Sequence, residues 1–524
     1  MAASDALFAA FFTNLEKAVK VRQPLVDQLA ETTADVLNTA ATFGGLAHDA
    51  PRWSAAAQCC QFKMAGAGVS ILTQRSFLAS HQLVQAGATG AILESDIEPV
   101  ASLPRFEELS AVDPATTASL LSKVAIIKLN GGLGTGMGLD RAKSLLSVSQ
   151  GRTFLDFIAL QTEHQRATAG GQNLRFMLMN SFSTSKDTQD FLSGRYPNMA
   201  GGDLFKQSVE FMQGMVPKVA QDSLLPVAYP ADPDCEWVPP GHGEIYIALK
   251  ASGKLDALLA QGVEYIFVSN SDNLGATLDL GFVNFMQHQK LDFVMEVCER
   301  ADADKKGGHL ARGRANGNLL LREAAQCRKE DEPSFQDVSR HKYFNTNNLW
   351  VNLAALKAQL DAHGGVLPLP VIRNGKTVDP TNAQSQKVYQ LESAMGAAIA
   401  LFDKTSAIVV PRSRFAPVKT CADLLALRSD CYEVTPDYRI VLKAHRRGVP
   451  PNITLEDKHY KFVNQFESLV ELAVPSLADC DALTVVGPIK FAPGVVIKGA
   501  TTITNKAAEV KVLPSGIYTG AVNI

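Results

Sequence analysis

A strand that runs directly into a glycine-rich loop constrains this chain more than any other stretch. The apolar residues 124–127 predict a buried strand. Lys143 closes the loop that follows, whose glycines are Gly131, Gly132, Gly134, Gly136 and Gly138. Because glycine has no Cβ, several backbone N–H groups can face one anion, and the lysine adds a charge that suits phosphate. The pattern therefore indicates a phosphate-binding loop rather than a flexible turn.

Two common phosphate-loop motifs do not fit this stretch. The Walker motif places its lysine directly after a glycine, whereas Lys143 follows Ala142. The dinucleotide motif G-x-G-x-x-G fails because the glycines from Gly132 to Gly138 occupy alternate positions. A dinucleotide-dependent oxidoreductase is therefore an alternative that only the strand and its loop support.

The composition narrows the class of protein. A length of 524 residues suggests about three domains, and 46% apolar with 20% charged residues is typical of a soluble globular chain. A net charge of −3 argues against nucleic acid or an anionic membrane as a partner, and no apolar run reaches the roughly 18 residues of a membrane span. The eight cysteines form no C-x-x-C, which argues against a zinc site or a disulfide framework. We therefore expect a cytoplasmic protein.

The first hundred residues predict an α-helical region. Apolar residues recur at helical spacing, beginning with Leu7, Phe11, Leu15 and Val19. Residues 95–104 contain two prolines without periodicity, so they predict a linker. We expect residues 1–100 to pack as a helical layer on the next domain; a regulatory arm or an interface is the alternative.

Strands and helices alternate from residue 124 onward. Further apolar runs at 174–179, 263–268, 292–297 and 349–353 predict strands, and residues 154–161 predict an amphipathic helix. Such alternation favours a mostly parallel sheet with helices on both faces, and ligands bind such sheets at the carboxyl ends of the strands. Polar residues cluster at those ends: Asn130, Asn180, Ser181, Asn270, Ser271, Asp272 and Asn273.

Several polar residues are candidates for a site. His242 lies between two glycines in W-V-P-P-G-H-G-E, where the backbone can approach a ligand closely. Asp272 follows a buried strand, so it is a Mg²⁺ ligand or, alternatively, a turn or helix cap. In F-N-T-N-N-L-W (344–350) asparagine amides suit sugar hydroxyls, or else form a turn before a strand. The basic stretch P-R-S-R-F-A-P-V-K-T (411–420) alone predicts a solvated surface.

A six-residue period marks the C-terminal region. One apolar series comprises Leu483, Ile489, Val495 and Thr501, and a second comprises Val485, Phe491, Ile497 and Ile503. Gly487, Pro493 and Gly499 recur at the corners. Two inward positions and a Gly or Pro corner in each six residues predict the stacked coils of a β-helix.

Taken together and in order, these stretches resemble the UTP–glucose-1-phosphate uridylyltransferases. The shared motifs are L-N-G-G-L-G-T-G-M-G…K-S (129–144), N-S-F (180–182), P-P-G-H-G (239–243), F-V-S-N-S-D-N-L-G-A-T (267–277), V-M-E-V (294–297), K-G-G-H-L (306–310), F-N-T-N-N-L-W (344–350), L-E-S-A-M-G-A-A-I (391–399) and P-R-S-R-F-A-P-V-K-T (411–420). The likeness runs from about residue 95 to the C-terminus. The chain departs at Gly136, where the family commonly has Ser, and at Arg141-Ala142, where it has Gly-Pro.

The resemblance implies an α/β fold: a Rossmann-like nucleotidyltransferase (GT-A-type) mixed sheet, with an N-terminal helical region and a C-terminal left-handed β-helix. The expected domains are residues 1–100, a catalytic domain at 101–420 and a C-terminal domain at 421–524. The implied reaction converts UTP and glucose 1-phosphate to UDP-glucose and pyrophosphate with Mg²⁺. A homo-oligomer through the β-helix is a further implication.

The resemblance also implies roles for single residues. The nucleotide would be held by Leu129, Asn130, Gly131 and Gly132, and its uracil by Gln213 and Gly241. Lys143 would neutralise the β- and γ-phosphates, Lys419 the charge developing at the α-phosphate, and Asp272 would bind Mg²⁺. The sugar phosphate would contact His242, and hydroxyls of the sugar or ribose would contact Asn270 and Asn347.

Two alternatives are an enzyme for galactose 1-phosphate or N-acetylhexosamine 1-phosphate, and a non-enzymatic scaffold that oligomerises through its β-helix. The forms P-P-G-H-G and F-N-T-N-N-L-W favour glucose. The presence of Lys143, Asp272 and Lys419 argues against the scaffold.

Overall fold

A computed structural model of the chain describes residues 54–168, 174–200 and 209–524. The helical pattern from Leu7 to Val19 lies outside these residues. The described helices are α1 (Ala55–Gly66), α2 (Ile71–Gln85), α3 (Thr117–Ser122), α4 (Phe154–Ala167), α5 (Ser185–Arg195), α6 (Pro197–Ala200), α7 (Ile245–Ala251), α8 (Lys254–Ala260), α9 (Leu280–Gln289), α10 (Glu332–Gln336), α11 (Leu353–Ala362), α12 (Cys421–Arg428), α13 (Asp457–Tyr460) and α14 (Val463–Val470).

The strands of the same residues form one large sheet and several small ones. They are β1 (Ile97–Pro99), β2 (Val124–Asn130), β3 (Ser147–Ser149), β4 (Arg152–Thr153), β5 (Arg175–Asn180), β6 (Glu210–Met212), β7 (Val216–Pro217), β8 (Val219–Ala220), β9 (Trp237–Val238), β10 (Tyr265–Asn270), β11 (Phe293–Glu299), β12 (His309–Gly313), β13 (Leu319–Arg322), β14 (Tyr343–Asn352), β15 (Ile372–Thr377), β16 (Lys387–Glu392), β17 (Thr405–Val409), β18 (Tyr432–Val434), β19 (Ile440–Leu442), β20 (Asn452–Leu455), β21 (Ser476–Val486), β22 (Ile489–Phe491), β23 (Val495–Thr504), β24 (Lys511–Leu513) and β25 (Gly516–Asn523).

The large sheet is mixed, so the expectation of a mostly parallel sheet was wrong. Its main path is β1-β12-β14-β10-β2-β5-β6, with β11, β13 and β17 joined beside it. Strands β10, β2, β5 and β6 are mutually parallel. Strand β14 runs antiparallel to both β10 and β11. The parallel part is therefore the part that carries the glycine loop and its neighbouring strand ends.

Helices cover both faces of this sheet. Alternate residues of each strand point to opposite sides, and the apolar residues on each side need helices to bury them. In β2, Val124 and Ile126 face a core that includes α4 and α9, whereas Ala125 and Ile127 face a core that includes α7, α8 and α11. The first core continues into the C-terminal region through α12, α14 and the coils beyond them. The predicted α/β architecture with a central mixed sheet is confirmed.

Helices α1 and α2 pack on the sheet domain, as expected for a helical layer: α2 lies against α7 and β16. The predicted linker is partly wrong, because Ile97–Pro99 pairs with β12 at the edge of the large sheet. A proline lacks the N–H that a central strand needs, but an edge strand accepts it. The chain thus joins the sheet before the glycine loop begins.

The six-residue period corresponds to stacked parallel strands. Strand β21 pairs in parallel with β23, and Leu483 lies beside Thr501 and Val485 beside Ile503, three repeats further along the chain. All eight residues of the two apolar series are buried. Strands β20 and β25 extend the stack in parallel on either side. The parallel stacking that the period predicted is therefore confirmed as a C-terminal parallel sheet.

Two further expectations concern the whole described chain. None of the helices described is long and apolar enough to cross a membrane. All eight cysteines fall within the described ranges and are free thiols, in agreement with the absence of a disulfide framework.

Candidate active site

The polar residues that follow the parallel strands lie side by side. Asn270 of β10 pairs with Leu129 of β2, and Asn130 pairs with Asn180 of β5. Because these strands are parallel, their carboxyl ends share one edge of the sheet. An open cavity of about 360 Å³ lies at that edge.

The glycine loop turns sharply over this edge. Gly134 and Gly138 have φ of 75° and 72°, which glycine adopts without strain. A Cβ on Gly131 would meet Oε1 of Gln213, so a larger residue there would displace the Gln213 carboxamide. The Lys143 amide donates to the Gly132 carbonyl at 3.1 Å, which returns the chain to the cavity.

Two lysines from distant parts of the chain meet one carboxylate. The Nζ atoms of Lys143 and Lys419 each lie 2.7 Å from Oδ2 of Asp272. Lys143 also donates to the Val418 carbonyl. Burial alone would raise the pKa of Asp272, but the two ammonium groups outweigh it and lower that pKa. The carboxyl is therefore ionised near neutral pH and holds two cations at the cavity.

The segment 411–420 carries Lys419 and is anchored inside the protein. Arg414 is buried and binds Glu296 through two hydrogen bonds, of 2.8 Å from Nε and 2.7 Å from Nη2. Trp350 donates to the same carboxylate at 2.9 Å. The prediction of a solvated basic surface was therefore wrong for Arg414. A bidentate pair of this kind fixes the start of the segment in one geometry.

Asn273 fixes the middle of the same segment. Its Oδ1 accepts the Ala416 amide at 3.0 Å, and its Nδ2 donates to the Arg414 carbonyl at 3.1 Å. The Val418 amide donates to the Asp272 carbonyl at 3.3 Å. The end of β10 therefore sets the position from which Lys419 reaches the cavity.

Gln213 and Gly241 form a second polar group in the cavity. Nε2 of Gln213 donates to the Gly241 carbonyl at 2.8 Å. Gly241 has φ of 83°, and a Cβ there would lie 2.5 Å from the Ser393 carbonyl oxygen. The Gln213 amide donates to the Asn180 carbonyl at 2.7 Å, which ties this residue to the end of β5.

The surroundings of His242 set both the charge and the tautomer of its ring. The Met395 amide donates to its Nδ1 at 3.0 Å, so the single ring proton of the neutral form is on Nε2. Burial, with the charge of Lys419 in addition, lowers the pKa of His242 to about 4. The ring therefore stays neutral near pH 7 and keeps one N–H to donate.

Most of the residues proposed from sequence line the cavity. Those that do are Leu129, Gly131, Gly132, Lys143, Gln213, Gly241, His242, Asn270, Asp272 and Lys419. No role was proposed from the sequence for the other lining residues, which are Met179, Val238, Pro239, Ser271 and Glu392. Ser271 and Glu392 nonetheless lie inside two quoted motifs, F-V-S-N-S-D-N-L-G-A-T (267–277) and L-E-S-A-M-G-A-A-I (391–399), and that membership was the available signal.

Two proposed residues lie elsewhere. Asn130 is buried, and its Nδ2 donates to Oδ1 of Asn180 at 2.7 Å and to the Thr188 hydroxyl at 2.9 Å. Asn347 accepts from Nδ2 of Asn345 at 2.8 Å and has φ of 59°. Its motif lies within β14 instead of in a turn before a strand, because the left-handed residue bends the strand without ending it.

The side chains of the site could hold a metal ion only if a bound substrate and water supplied the remaining coordinating atoms. Among the described residues no group of three or more His, Cys, Asp or Glu side chains is arranged to hold a metal. However, Oδ1 of Asp272 is buried and has no hydrogen-bond partner among the residues that the structure describes. One free carboxylate oxygen beside two lysines suits Mg²⁺ that takes its remaining ligands from substrate phosphates and water.

Comparison with known proteins shows which family this chain belongs to. The model of the UTP–glucose-1-phosphate uridylyltransferase family matches residues 75–498. The chain belongs to this family. A relative of that name from Astragalus penduliflorus is 42% identical over 405 residues, which are 76% of this chain and 81% of that protein.

Solved structures of the family agree with the fold. UDP-glucose phosphorylase from Trypanosoma brucei is 52% identical with a TM-score of 0.84, covering 90% of this chain and all of that one. A mutant UDP-glucose pyrophosphorylase from Leishmania major, solved in complex with UDP-glucose, is 51% identical with a TM-score of 0.85 over the same shares. The predicted activity, conversion of UTP and glucose 1-phosphate to UDP-glucose, is confirmed at the level of the family.

Proposed function

We propose that this cavity joins UTP and glucose 1-phosphate by a single in-line displacement. An oxygen of the sugar phosphate attacks the α-phosphorus of UTP, the bond to the β-phosphate breaks, and pyrophosphate leaves. The observation that carries the proposal is the convergence of Lys143 and Lys419 on Asp272 beside the glycine loop. Phosphoryl chemistry of this kind needs positioned cations and donors rather than a protein nucleophile.

The nucleotide would lie across β2 and its loop. The Gln213 side chain and the Gly241 backbone would bind uracil, since a carboxamide and a backbone group can match its carbonyl and N–H. Leu129, Gly131 and Gly132 would pack against the nucleotide, and the absence of a Cβ at position 131 leaves space for the Gln213 carboxamide. Asn130 would act indirectly, because its side-chain hydrogen bond holds Asn180 at the neighbouring strand end.

The two lysines would divide the phosphates between them. Lys143, whose side chain is only 13% exposed, would neutralise the β- and γ-phosphates from a fixed position. Lys419, whose side chain is 57% exposed, would meet the charge that develops at the α-phosphate. Both would exchange the carboxylate of Asp272 for phosphate oxygens when UTP binds.

Asp272 would then hold Mg²⁺ through Oδ1, which has no hydrogen-bond partner in the described part of the chain. When bound, the ion supplies charge neutralisation for the triphosphate. The transfer of the lysines from Asp272 to phosphate would release its second oxygen as well. The protein thus contributes one carboxylate and leaves the other ligand positions to UTP and water.

The sugar phosphate would bind on the His242 side of the cavity. The Nε2–H of this neutral ring is a hydrogen-bond donor that no described group engages. Asn270 would contact a sugar or ribose hydroxyl at the cavity wall. Asn347 lies in β14 and is not among the residues that line the cavity, so a direct contact of its side chain with the sugar is not part of the proposal.

Pyrophosphate release tests this function and its nearest alternatives together. The purified chain would be mixed with UTP and, in turn, glucose 1-phosphate, galactose 1-phosphate or N-acetylglucosamine 1-phosphate, with Mg²⁺ and again after EDTA. We expect the highest kcat/KM with glucose 1-phosphate and no release after EDTA. Equal or higher turnover with another sugar phosphate would transfer the proposal to that sugar. Pyrophosphate release that persists in EDTA would contradict the proposed role of Mg²⁺.

We also propose that the C-terminal coils form a left-handed β-helix and that the catalytic domain, residues 101–420, is of GT-A type. The 18-residue register between Leu483 and Thr501 supports a three-sided coil. The last coil exposes Val510, Val512 and Ile517. Exposed apolar residues beside an edge strand suit contact with a second copy of the chain, which would make a homo-oligomer.

A further inference from the structure

A buried hydrogen bond links helix α2 to the turn that carries His242. The hydroxyl of Thr73, in the first turn of α2, donates to Oε1 of Glu244 at 2.5 Å. Both residues are 2% exposed. Glu244 follows His242 by two positions, at the start of α7. Neither Thr73 nor Glu244 lines the cavity, so any influence on the substrate passes through other residues.

These two residues belong to a closed ring of contacts. The Glu244 amide donates to the Gly241 carbonyl at 3.3 Å. The same carbonyl accepts Nε2 of Gln213 at 2.8 Å. Gly214, the next residue after Gln213, completes the ring, because a Cβ there would lie 2.7 Å from Glu244 Oε1 and 2.7 Å from Cγ2 of Thr73. The Gln213–Gly214 backbone therefore packs directly against the Thr73–Glu244 pair.

We propose that Thr73 and Glu244 are positioning residues that hold the Gln213 carboxamide and the Gly241 carbonyl in the geometry that recognises the base. This inference rests on the proposed binding of uracil by Gln213. It gives α2 a role in the reaction: the helix fixes the distance between the end of β6 and the P-P-G-H-G turn. Such positioning matters because a shift of about 1 Å can cost up to 10²-fold in rate.

The charge state of Glu244 makes the pair suitable for this task. Burial raises the pKa of Glu244 to about 8, so the carboxyl is mostly protonated near neutral pH. Loss of the Thr73 hydroxyl would then leave a neutral acid in the protein interior instead of an unpaired anion. The fold tolerates the first change far better than the second, so Thr73→Val is a usable probe.

The test compares two buried threonines. Thr73→Val removes the hydroxyl that crosses to Glu244, whereas Thr162→Val removes one that bonds only the Ile158 carbonyl of its own helix at 2.8 Å. Both side chains are equally buried. For each variant we would measure kcat, the KM values for UTP and glucose 1-phosphate, the ratio of kcat/KM for UTP to that for CTP, and the thermal midpoint.

We expect Thr73→Val to raise the KM for UTP by about 5–10-fold and to lower the preference for UTP over CTP by a similar factor. Its kcat and its KM for glucose 1-phosphate should change by less than about threefold. Thr73→Ser should restore most of both losses, because it returns the hydroxyl. Thr162→Val should lower the thermal midpoint without moving the base preference.

Other outcomes overturn the inference in distinguishable ways. If Gln213→Ala changes the preference for UTP over CTP but Thr73→Val does not, the ring has no positioning role and the proposed function stands. If Thr162→Val shifts the KM for UTP as much as Thr73→Val, the effect is one of stability only. If Gln213→Ala leaves the base preference unchanged, the proposed uracil contact fails, and the inference fails with it.

Discussion

The glycine loop and the segment 411–420 bring one lysine each to Asp272, but they are built in opposite ways. The loop at 131–138 has few side chains, and its course depends on left-handed glycines such as Gly134 and Gly138. The segment is anchored by the buried Arg414–Glu296 pair. The glycine-rich loop leads to the less exposed lysine, Lys143, and the segment anchored by Arg414 carries the exposed one, Lys419.

This inversion indicates how each lysine is kept in place. Lys143 needs no anchored backbone, because the Val418 carbonyl and the Asp272 carboxylate hold its ammonium group directly. Lys419 has only Asp272 as a side-chain partner among the described residues, so its position depends on the backbone behind it. The segment is therefore the element whose rigidity should matter for the chemical step, and the loop the element that should matter for binding.

The largest expected effect follows from removal of the anchor. Arg414→Met leaves Glu296 buried without its charge partner, so we expect the free energy of unfolding to fall by roughly 3–5 kcal/mol. Urea denaturation would measure the change. Arg439→Met is the matched control: its pair with Asp437 is half-exposed, and loss of such a pair costs at most about 1 kcal/mol. Equal losses in the two variants would mean that Arg414 does not anchor the segment.

The two lysines themselves give the next largest effect. Lys419→Ala should lower kcat by about 10²–10³-fold with little change in the KM for UTP, because it removes charge stabilisation at the reacting phosphate. Lys143→Ala should chiefly raise the KM for UTP, by about tenfold, because it removes ground-state contacts to phosphates. Steady-state kinetics would separate the two, with Lys186→Ala, a surface lysine paired with Asp190, as the control. The same pattern in both variants would erase the distinction between the segment and the loop.

The smallest effect concerns the loop. Gly138 has φ of 72°, and a Cβ there would lie 2.9 Å from the ring of Phe462. Gly138→Ala should therefore strain the loop by about 1–2 kcal/mol and raise the KM for UTP severalfold. Gly136→Ala is the control, because a Cβ at that position meets no atom within 4 Å. A larger rise in Gly136→Ala than in Gly138→Ala would show that backbone strain does not govern the loop.

Much of the fold was predictable because its signals are local. The apolar run before the glycines predicted strand β2, and the six-residue period predicted the register of β21 on β23. The failures were also local in origin. The pattern of residues 97–99 does not reveal that an edge strand accepts Pro99, and the asparagines of residues 344–350 read as a turn although they lie in β14.

The types of residue in the site were easier to predict than the contacts between them. Asp272 and Asn270 could be proposed because a strand end places polar residues at the edge of a parallel sheet. The Met395 amide, which sets the tautomer of His242, has no side-chain signal at all. Thr73 and Glu244 lie 171 residues apart; Thr73 belongs to no quoted motif, and the stretch that ends at Glu244 gives no sign of its distant partner. Contacts made by backbone groups or between distant elements leave no pattern in the sequence.

By itself the sequence determined the strand and loop that suit a phosphate, the stacked parallel strands of the C-terminal region and the chemical inventory of lysines, amides and one carboxylate. These follow from backbone preferences and side-chain periods that act over a few residues. Only the tertiary structure decided that Lys143 and Lys419 share Asp272 and that Arg414 is buried. The reason is that burial and charge pairing depend on which surfaces pack together, and packing joins residues that are hundreds of positions apart.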